Sequence, residues 1–200
     1  MLVRATVFFF IMINQILFYD LETTGLSLTK NEIIEFGGLL FNAQGVEEIS
    51  FLLRPSKPVP AHIKRITGIS EKDYLTDLVL TRKQFKLFLD AISVKNTLLI
   101  GHNILRFDNK FLRAAGATPR GQFYDTMVQD RSRRSLSKLT KTRISHRALA
   151  DVKLCFQVYA QQTKFSKYLL LKHAKQSRTR LVLPQPIVNQ MITYCKTVKQ

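Results

Sequence analysis

Three short segments hold the side chains best suited to chemistry. The first is Tyr19-Asp20-Leu21-Glu22-Thr23-Thr24-Gly25. Residues two apart on a strand face the same way, so Asp20 and Glu22 present paired carboxylates to one side. Such charges repel, and a shared cation relieves the repulsion; oxygen-only ligands favour a hard ion such as Mg2+ or Mn2+. The second is Gly101-His102-Asn103-Ile104-Leu105-Arg106-Phe107-Asp108, which follows an apolar run and opens a helix. Asp108 there reaches the end of the first strand if the two strands are neighbours. The third is Ser145-His146-Arg147-Ala148-Leu149-Ala150-Asp151. Five residues of helix turn the chain by about 500° and leave two side chains about 140° apart. For both to face one site, His146 must lie just before the helix and Asp151 on its first turns. Each segment alone has a plainer reading. An acidic pair at a strand end is commonly a solvated surface feature, Asn103 is then a helix cap with Asp108 facing solvent, and a single histidine is structural. Asp151 stands apart as the only acid between Arg131 and Gln200, a stretch otherwise crowded with Lys and Arg.

The elements that must position these groups follow from pattern. Ile16–Tyr19 is a short apolar run ending at Asp20, and it predicts a buried strand followed by a turn. Ile33–Phe41 and Glu47–Arg54 are further strands around an Asn42–Gly45 turn, giving a three-stranded antiparallel meander. Pro55, Pro58 and Pro60 punctuate a loop. Helices are expected at Ala61–Thr67, Glu71–Leu75, Thr81–Ile92, Ile104–Ala115 (stopped by Gly116) and Arg147–Gln162, and strands at Thr97–Gly101 and Phe123–Met127. The order indicates a mixed α/β domain. Beyond Thr163 the pattern weakens: Ser166–Lys175 is read as a further helix, Gln176–Arg180 as a basic loop, and Leu181–Gln200 as lacking an element before Val188.

Composition narrows the partners. Apolar residues make up 46% of the 200, enough for a real core in one domain and against wholesale disorder. The net charge is +17, and residues 131–200 contribute +15 of it. A surplus of that size concentrates polyanions, with a merely solubilising surface as the plainer alternative. Cys155 and Cys195 form no CxxC pair, so reduced thiols in a cytoplasmic setting are expected. Val7–Ile13 after Arg4 looks like a short signal-peptide core, but no small-residue cleavage site follows and the run is below the ~20 residues of a membrane span. Residues 1–14 are therefore read as an extension or a strand lead-in, with Met12 as an alternative start, 15–163 as the main domain and 164–200 as a basic tail.

The three segments occur together and in order, and here the sequence resembles the DnaQ-like, DEDDh branch of 3′–5′ exonucleases, the type of the proofreading exonuclease of bacterial DNA polymerase III. The four acids and one histidine match Asp20, Glu22, Asp108, Asp151 and His146. Thr23-Thr24-Gly25-Leu26, His102-Asn103, Phe107-Asp108, His146-Arg147-Ala148-Leu149, Val59-Pro60 with Ile66-Thr67-Gly68-Ile69, and Tyr124-Asp125-Thr126 fit the same pattern. The resemblance covers about residues 15–163. Two departures stand out. The stretch from Asp125 to His146 is short for the family, with Ser135–Leu139 as a remnant of the helix usual there, and the tail has no counterpart.

The resemblance implies a ribonuclease H-like mixed five-stranded sheet, its first three strands antiparallel and the rest parallel, flanked by helices. It implies two divalent cations, Mg2+ or Mn2+, about 4 Å apart. Asp20 would bridge both, Glu22 and Asp151 would complete the shell of one, and Asp108 would hold the other. His146 would be the general base, a task suited to an imidazole of ordinary pKa about 6.5. Thr23, Thr24, Leu26, His102 and Asn103 would meet or brace the substrate. The implied reaction is hydrolysis of single-stranded DNA ends to nucleoside 5′-monophosphates in proofreading or repair, with a DNA polymerase as an expected partner and no membrane. An RNA-trimming enzyme with the same site and a non-catalytic nucleic-acid-binding protein of the same fold are the competing readings. Sugar choice rests on 2′-hydroxyl contacts that spacing does not reveal.

Overall fold

A computed structural model describes residues 9–76, 78–142, 144–164, 168–173 and 177–197. In chain order the elements are β1 (Phe9–Met12), β2 (Gln15–Thr23), β3 (Ile33–Phe41), β4 (Val46–Leu53), α1 (Ala61–Thr67), α2 (Asp73–Thr76), β5 (Val79–Leu80), α3 (Arg82–Ile92), β6 (Thr97–Gly101), α4 (Asp108–Ala114), β7 (Gln122–Asp125), α5 (Thr126–Gln129), α6 (Leu136–Thr140), α7 (Ala148–Thr163), β8 (Tyr168–His173), β9 (Ser177–Val182) and α8 (Gln185–Thr197).

The main sheet runs β5-β4-β3-β2-β6-β7. β2, β3 and β4 form the expected antiparallel meander, and β6 and β7 add parallel to β2. It is the ribonuclease H-like mixed sheet, with the short β5 as a sixth strand beside β4. Alternation along β2 divides its side chains between two cores. Ile16 and Phe18 pack with Val152, Cys155, Phe156 and Tyr159 of α7, whereas Leu17, Tyr19 and Leu21 pack with Phe85 and Leu89 of α3 and Phe111 and Leu112 of α4. Phe18 meets the rings of Phe41, Phe156 and Tyr159 edge-on, an arrangement favoured by ring quadrupoles.

Several elements differ from expectation. β2 does not stop at Asp20 but continues through Glu22, because β3 pairs with it as far as Thr23. α4 starts at Asp108, not Ile104: Asn103 adopts a left-handed backbone (φ 66°), and its carbonyl accepts from Arg106 and Phe107 N–H in a separate turn. The expected helix over Ser166–Lys175 is replaced, within its described part, by β8, and the expected loop over Gln176–Arg180 by β9. The Leu169-Leu170-Leu171 run has no helical or alternating period; antiparallel pairing with β9, itself parallel to β1, decides it. Residues 166, 167 and 174–176 of those two readings lie outside the described residues. α8 begins at Gln185, ahead of Val188, with Pro186 tolerated in a first turn where N–H groups have no helical partner. Its Ile187, Val188 and Met191 join the α7-side core, as does Ile13 just after β1. Tyr194 of α8 and Lys153 of α7 both bind Glu48 of β4. No helix among the described residues is long and apolar enough to cross a membrane.

Candidate active site

Asp20 and Glu22 continue the side of β2 that carries Ile16 and Phe18, so they emerge beyond the hydrophobic core facing the start of α7. His146 is not in the helix. It takes a left-handed backbone (φ 52°) just before the N-cap Arg147, and Asp151 lies in the first turn. The kink brings the imidazole round to the acids: ligand atoms of Glu22, His146 and Asp151 all lie within 4.8 Å of one another.

Asp108 arrives by a different route. β6 pairs with β2 only as far as Phe18 and then turns away at Gly101. Gly101 is required there, since a Cβ would lie 2.1 Å from Ile104 and 2.8 Å from the Tyr19 carbonyl. Past the end of that pairing, the Leu21 N–H donates to Asp108 Oδ1 at 3.0 Å. The carboxylate of α4 thus caps β2 between Asp20 and Glu22. Beside it, Tyr19 donates its hydroxyl proton to Asn109.

All four acids have raised pKa values. Burial is the largest cause for each. Asp20 stands well above the usual carboxylate range, with the charges of Asp108, Glu22 and Asp151 adding to burial. Glu22 is pushed up to about 8, with Asp151, Glu35 and Asp108 raising it and Arg147 opposing. Asp108 is pushed up to about 7, although its own backbone N–H and that of Leu21 favour the charged form. Asp151 is raised as well, opposed by His146 and by the backbone N–H groups of Ser145 and His146. Mutual repulsion of this kind is what a bound cation cancels. The buried Oδ1 of Asp151 has no hydrogen-bond partner. A first-turn carboxylate with an unused oxygen, facing Glu22 and an imidazole, fits a divalent ion.

The flanking residues are held in varied ways. The Thr23 hydroxyl donates to the Gly25 carbonyl, and the Thr24 hydroxyl accepts from Glu32 N–H. These bonds brace the turn that leaves Leu26 83% exposed, so this apolar side chain is free to meet a ligand. Asn103 N–H donates to Asp125. His102 is half-buried with Nδ1 on the Thr126 hydroxyl, whose proton goes to the Gly101 carbonyl. Its ring therefore serves the turn between β6 and α4. A cleft of about 700 Å3 lies on the other side of Thr24, lined by Asn31, Lys57, Arg82, Phe85 and Phe111 and by none of the four acids.

An exonuclease family model, of the RNase T type, matches residues 17–118, which include Asp20, Glu22 and Asp108. The chain belongs to this exonuclease family. The chain is 26% identical over 196 residues to a DNA polymerase III PolC-type protein of Caldanaerobacter subterraneus subsp. tengcongensis, a match covering 90% of this chain and 14% of that protein. It is 26% identical over 180 residues to the DNA polymerase III subunit epsilon of Treponema pallidum, covering 80% of this chain and 78% of that protein. The chain thus spans about a seventh of the PolC-type relative and most of the epsilon subunit. E. coli Exonuclease I, solved with a dA16 oligonucleotide, shares the fold with a TM-score of 0.61 at 20% identity, over 76% of this chain and 41% of that one.

His146 and Asp151 lie beyond the matched segment, and α7 brings them to the same place. One further residue at the candidate site is not among those the sequence points to. Glu35, 1% exposed on β3, sits opposite Glu22 in register and binds Arg147 and the Ala148 N–H. A signal was available, for Glu35 is the one charge in Ile33–Phe41, a strand buried throughout, and a buried charge demands a partner.

Proposed function

We propose that this chain is a metal-dependent 3′–5′ exonuclease that hydrolyses single-stranded DNA ends to nucleoside 5′-monophosphates. The observation that carries the reading is the approach of Glu22, His146 and Asp151 to within 4.8 Å, with Asp20 and Asp108 beside them, on an exonuclease-family fold. Asp20, Glu22, Asp108 and Asp151 would hold Mg2+ or Mn2+. The chemistry that such ions would supply there is a lowered pKa of a bound water and stabilisation of charge on a leaving oxygen. His146 accepts the proton of that water. The water oxygen bonds to phosphorus as the P–O3′ bond breaks, and the released 3′-oxygen takes a proton from solvent. The terminal nucleotide packs on Leu26, and the Thr23–Thr24 backbone and Asn103 flank it.

The basic surplus of residues 131–200 supports a nucleic acid partner. Arg131, Arg133, Lys138 and Lys141 are exposed, ready to meet phosphates without reading sequence. Lys167 and Lys175, read as extending that grip, lie outside the described residues. The DNA polymerase III relatives support DNA as substrate, a polymerase as partner and the cytoplasm as location.

The test is nuclease assay of matched DNA and RNA strands labelled at either end, with and without Mg2+. The reading expects immediate release of a labelled mononucleotide from the 3′-labelled DNA and a shortening ladder from the 5′-labelled DNA, both abolished by EDTA. Faster trimming of the RNA would give the RNA-trimming reading. Binding without product in Mg2+ would give the non-catalytic one.

A further inference from the structure

The start of α7 is fastened to β3 from outside the helix. Its N-cap is Arg147, which offers no side-chain cap to the first-turn N–H groups. Glu35, far earlier in the chain, supplies the missing acceptor: its Oε2 accepts from the Ala148 N–H at 2.9 Å. Its Oε1 accepts from Arg147 Nε and Nη2, each at 2.9 Å. Further along the same face of β3, Gly37 lets the helix backbone come so close that a Cβ would lie 2.2 Å from Leu149 N and 2.3 Å from the Ala148 carbonyl carbon. Charge and steric fit therefore fix the same turn of helix at two adjacent points.

What hangs from that turn is the third segment of the site. His146 immediately precedes Arg147 in a left-handed backbone conformation that a non-glycine residue holds only where its surroundings enforce it. Asp151 follows Ala148 within the same turn of helix. Glu22 lies directly across from Glu35 in the β2–β3 ladder. A single strand pair thus carries an acid of the site and the anchor that presents its counterparts. Both Glu35 oxygens are engaged by Arg147 and Ala148, so Glu35 is not a fifth ligand.

We propose that Glu35 is a positioning residue, whose bonds to Arg147 and the Ala148 N–H set the placement of His146 and Asp151 against Glu22. The proposal rests on the metal-dependent reading above. Groups that orient metal ligands in this way are worth about 10- to 100-fold in metal affinity or activity.

The experiment compares the wild-type full chain with Glu35→Ala, Glu35→Gln and Arg147→Met, measuring Mn2+ affinity by electron paramagnetic resonance without substrate, then kcat and KM on single-stranded DNA. Glu35→Ala is expected to weaken Mn2+ binding about 10-fold and lower kcat about 10- to 100-fold, with KM within about twofold of wild type. Glu35→Gln should recover part of both losses, because its amide oxygen still accepts from the Ala148 N–H. If Glu35→Ala fails to fold, Glu35→Gln and Arg147→Met carry the test by weakening Mn2+ binding less severely. Wild-type Mn2+ affinity and kcat in folded variants that have lost only thermal stability would overturn the proposal, as would a rise in KM alone. A wild-type chain that binds Mn2+ but releases no nucleotide defeats the hydrolytic reading by itself; the Mn2+ comparison then decides the role of Glu35.

Discussion

At the scale of single residues, the four acids differ in how they reach the site, and their losses should reflect it. Asp108 is fixed by the Leu21 N–H and Asp151 by the first turn of α7. Asp108→Ala and Asp151→Ala should each lower turnover at least ~100-fold, as loss of metal support commonly does, measured on a 3′-labelled strand in Mg2+. Near-normal turnover in either would remove that residue from the site. The raised pKa values also make a statement about stability. In the unfolded chain these carboxyls titrate at about 4; in the metal-free fold Asp108 titrates at about 7 and Glu22 at about 8. Between those limits the folded state binds more protons than the unfolded one, so stability falls as pH rises. The metal-free protein should therefore have a lower Tm at pH 8 than at pH 5.5, and Mn2+ should restore more of it at pH 8. A Tm that climbs over that range without metal would contradict the clustering. That Asp20 and Glu22 share one side of a strand was legible from their spacing, but not that they form a site; that His146 lies outside the helix was legible from the angular step of a helical turn once it and Asp151 are taken to face one site. For Glu35 only the need of a partner was legible, as a lone charge in a buried strand; Arg147 and Ala148, which meet it, lie 112 and 113 residues further on, and no local pattern around β3 names them.

At the scale of elements, α7 and α8 share a core. Met191 is 1% exposed against the α7 side of the sheet. Met191→Ala should cost about 2–5 kcal/mol, the range for emptying a packed apolar site. At roughly 2–4 °C per kcal/mol for a chain of this length, calorimetry should register the loss, while turnover of folded molecules stays intact. An unchanged Tm would mean that α8 is dispensable to the core. Which elements the sequence disclosed follows from where their stability comes from. β3 was readable because a long apolar, β-branched run has one stable home inside a sheet, and α3 because apolar residues at helical spacing follow the Thr81 cap. β8 was not, since its partner β9 joins it to β1, at the opposite end of the chain. Non-local pairing of that kind leaves no period in the strand itself.

At the scale of the whole molecule, positive charge and the clustered acids are segregated. Nearly all the surplus positive charge lies in residues 131–200, whereas Asp20, Glu22 and Asp108 all precede that segment. α7 joins the two distributions, carrying Asp151 into the acids from within the basic segment. Strand affinity should therefore depend steeply on salt, falling linearly in log–log form as phosphate contacts are screened. A flat response in a binding assay at several salt concentrations would mean that the basic third faces something else. The central claim is narrower: segments distant in sequence build one cation-binding cluster. Anomalous diffraction from a Mn2+-soaked crystal tests it most directly. The account predicts a peak bound by the carboxylates of Asp20, Glu22 and Asp151, with Asp108 at or next to it. Saturating Mn2+ that leaves no peak among those side chains, or that binds only elsewhere, would contradict it.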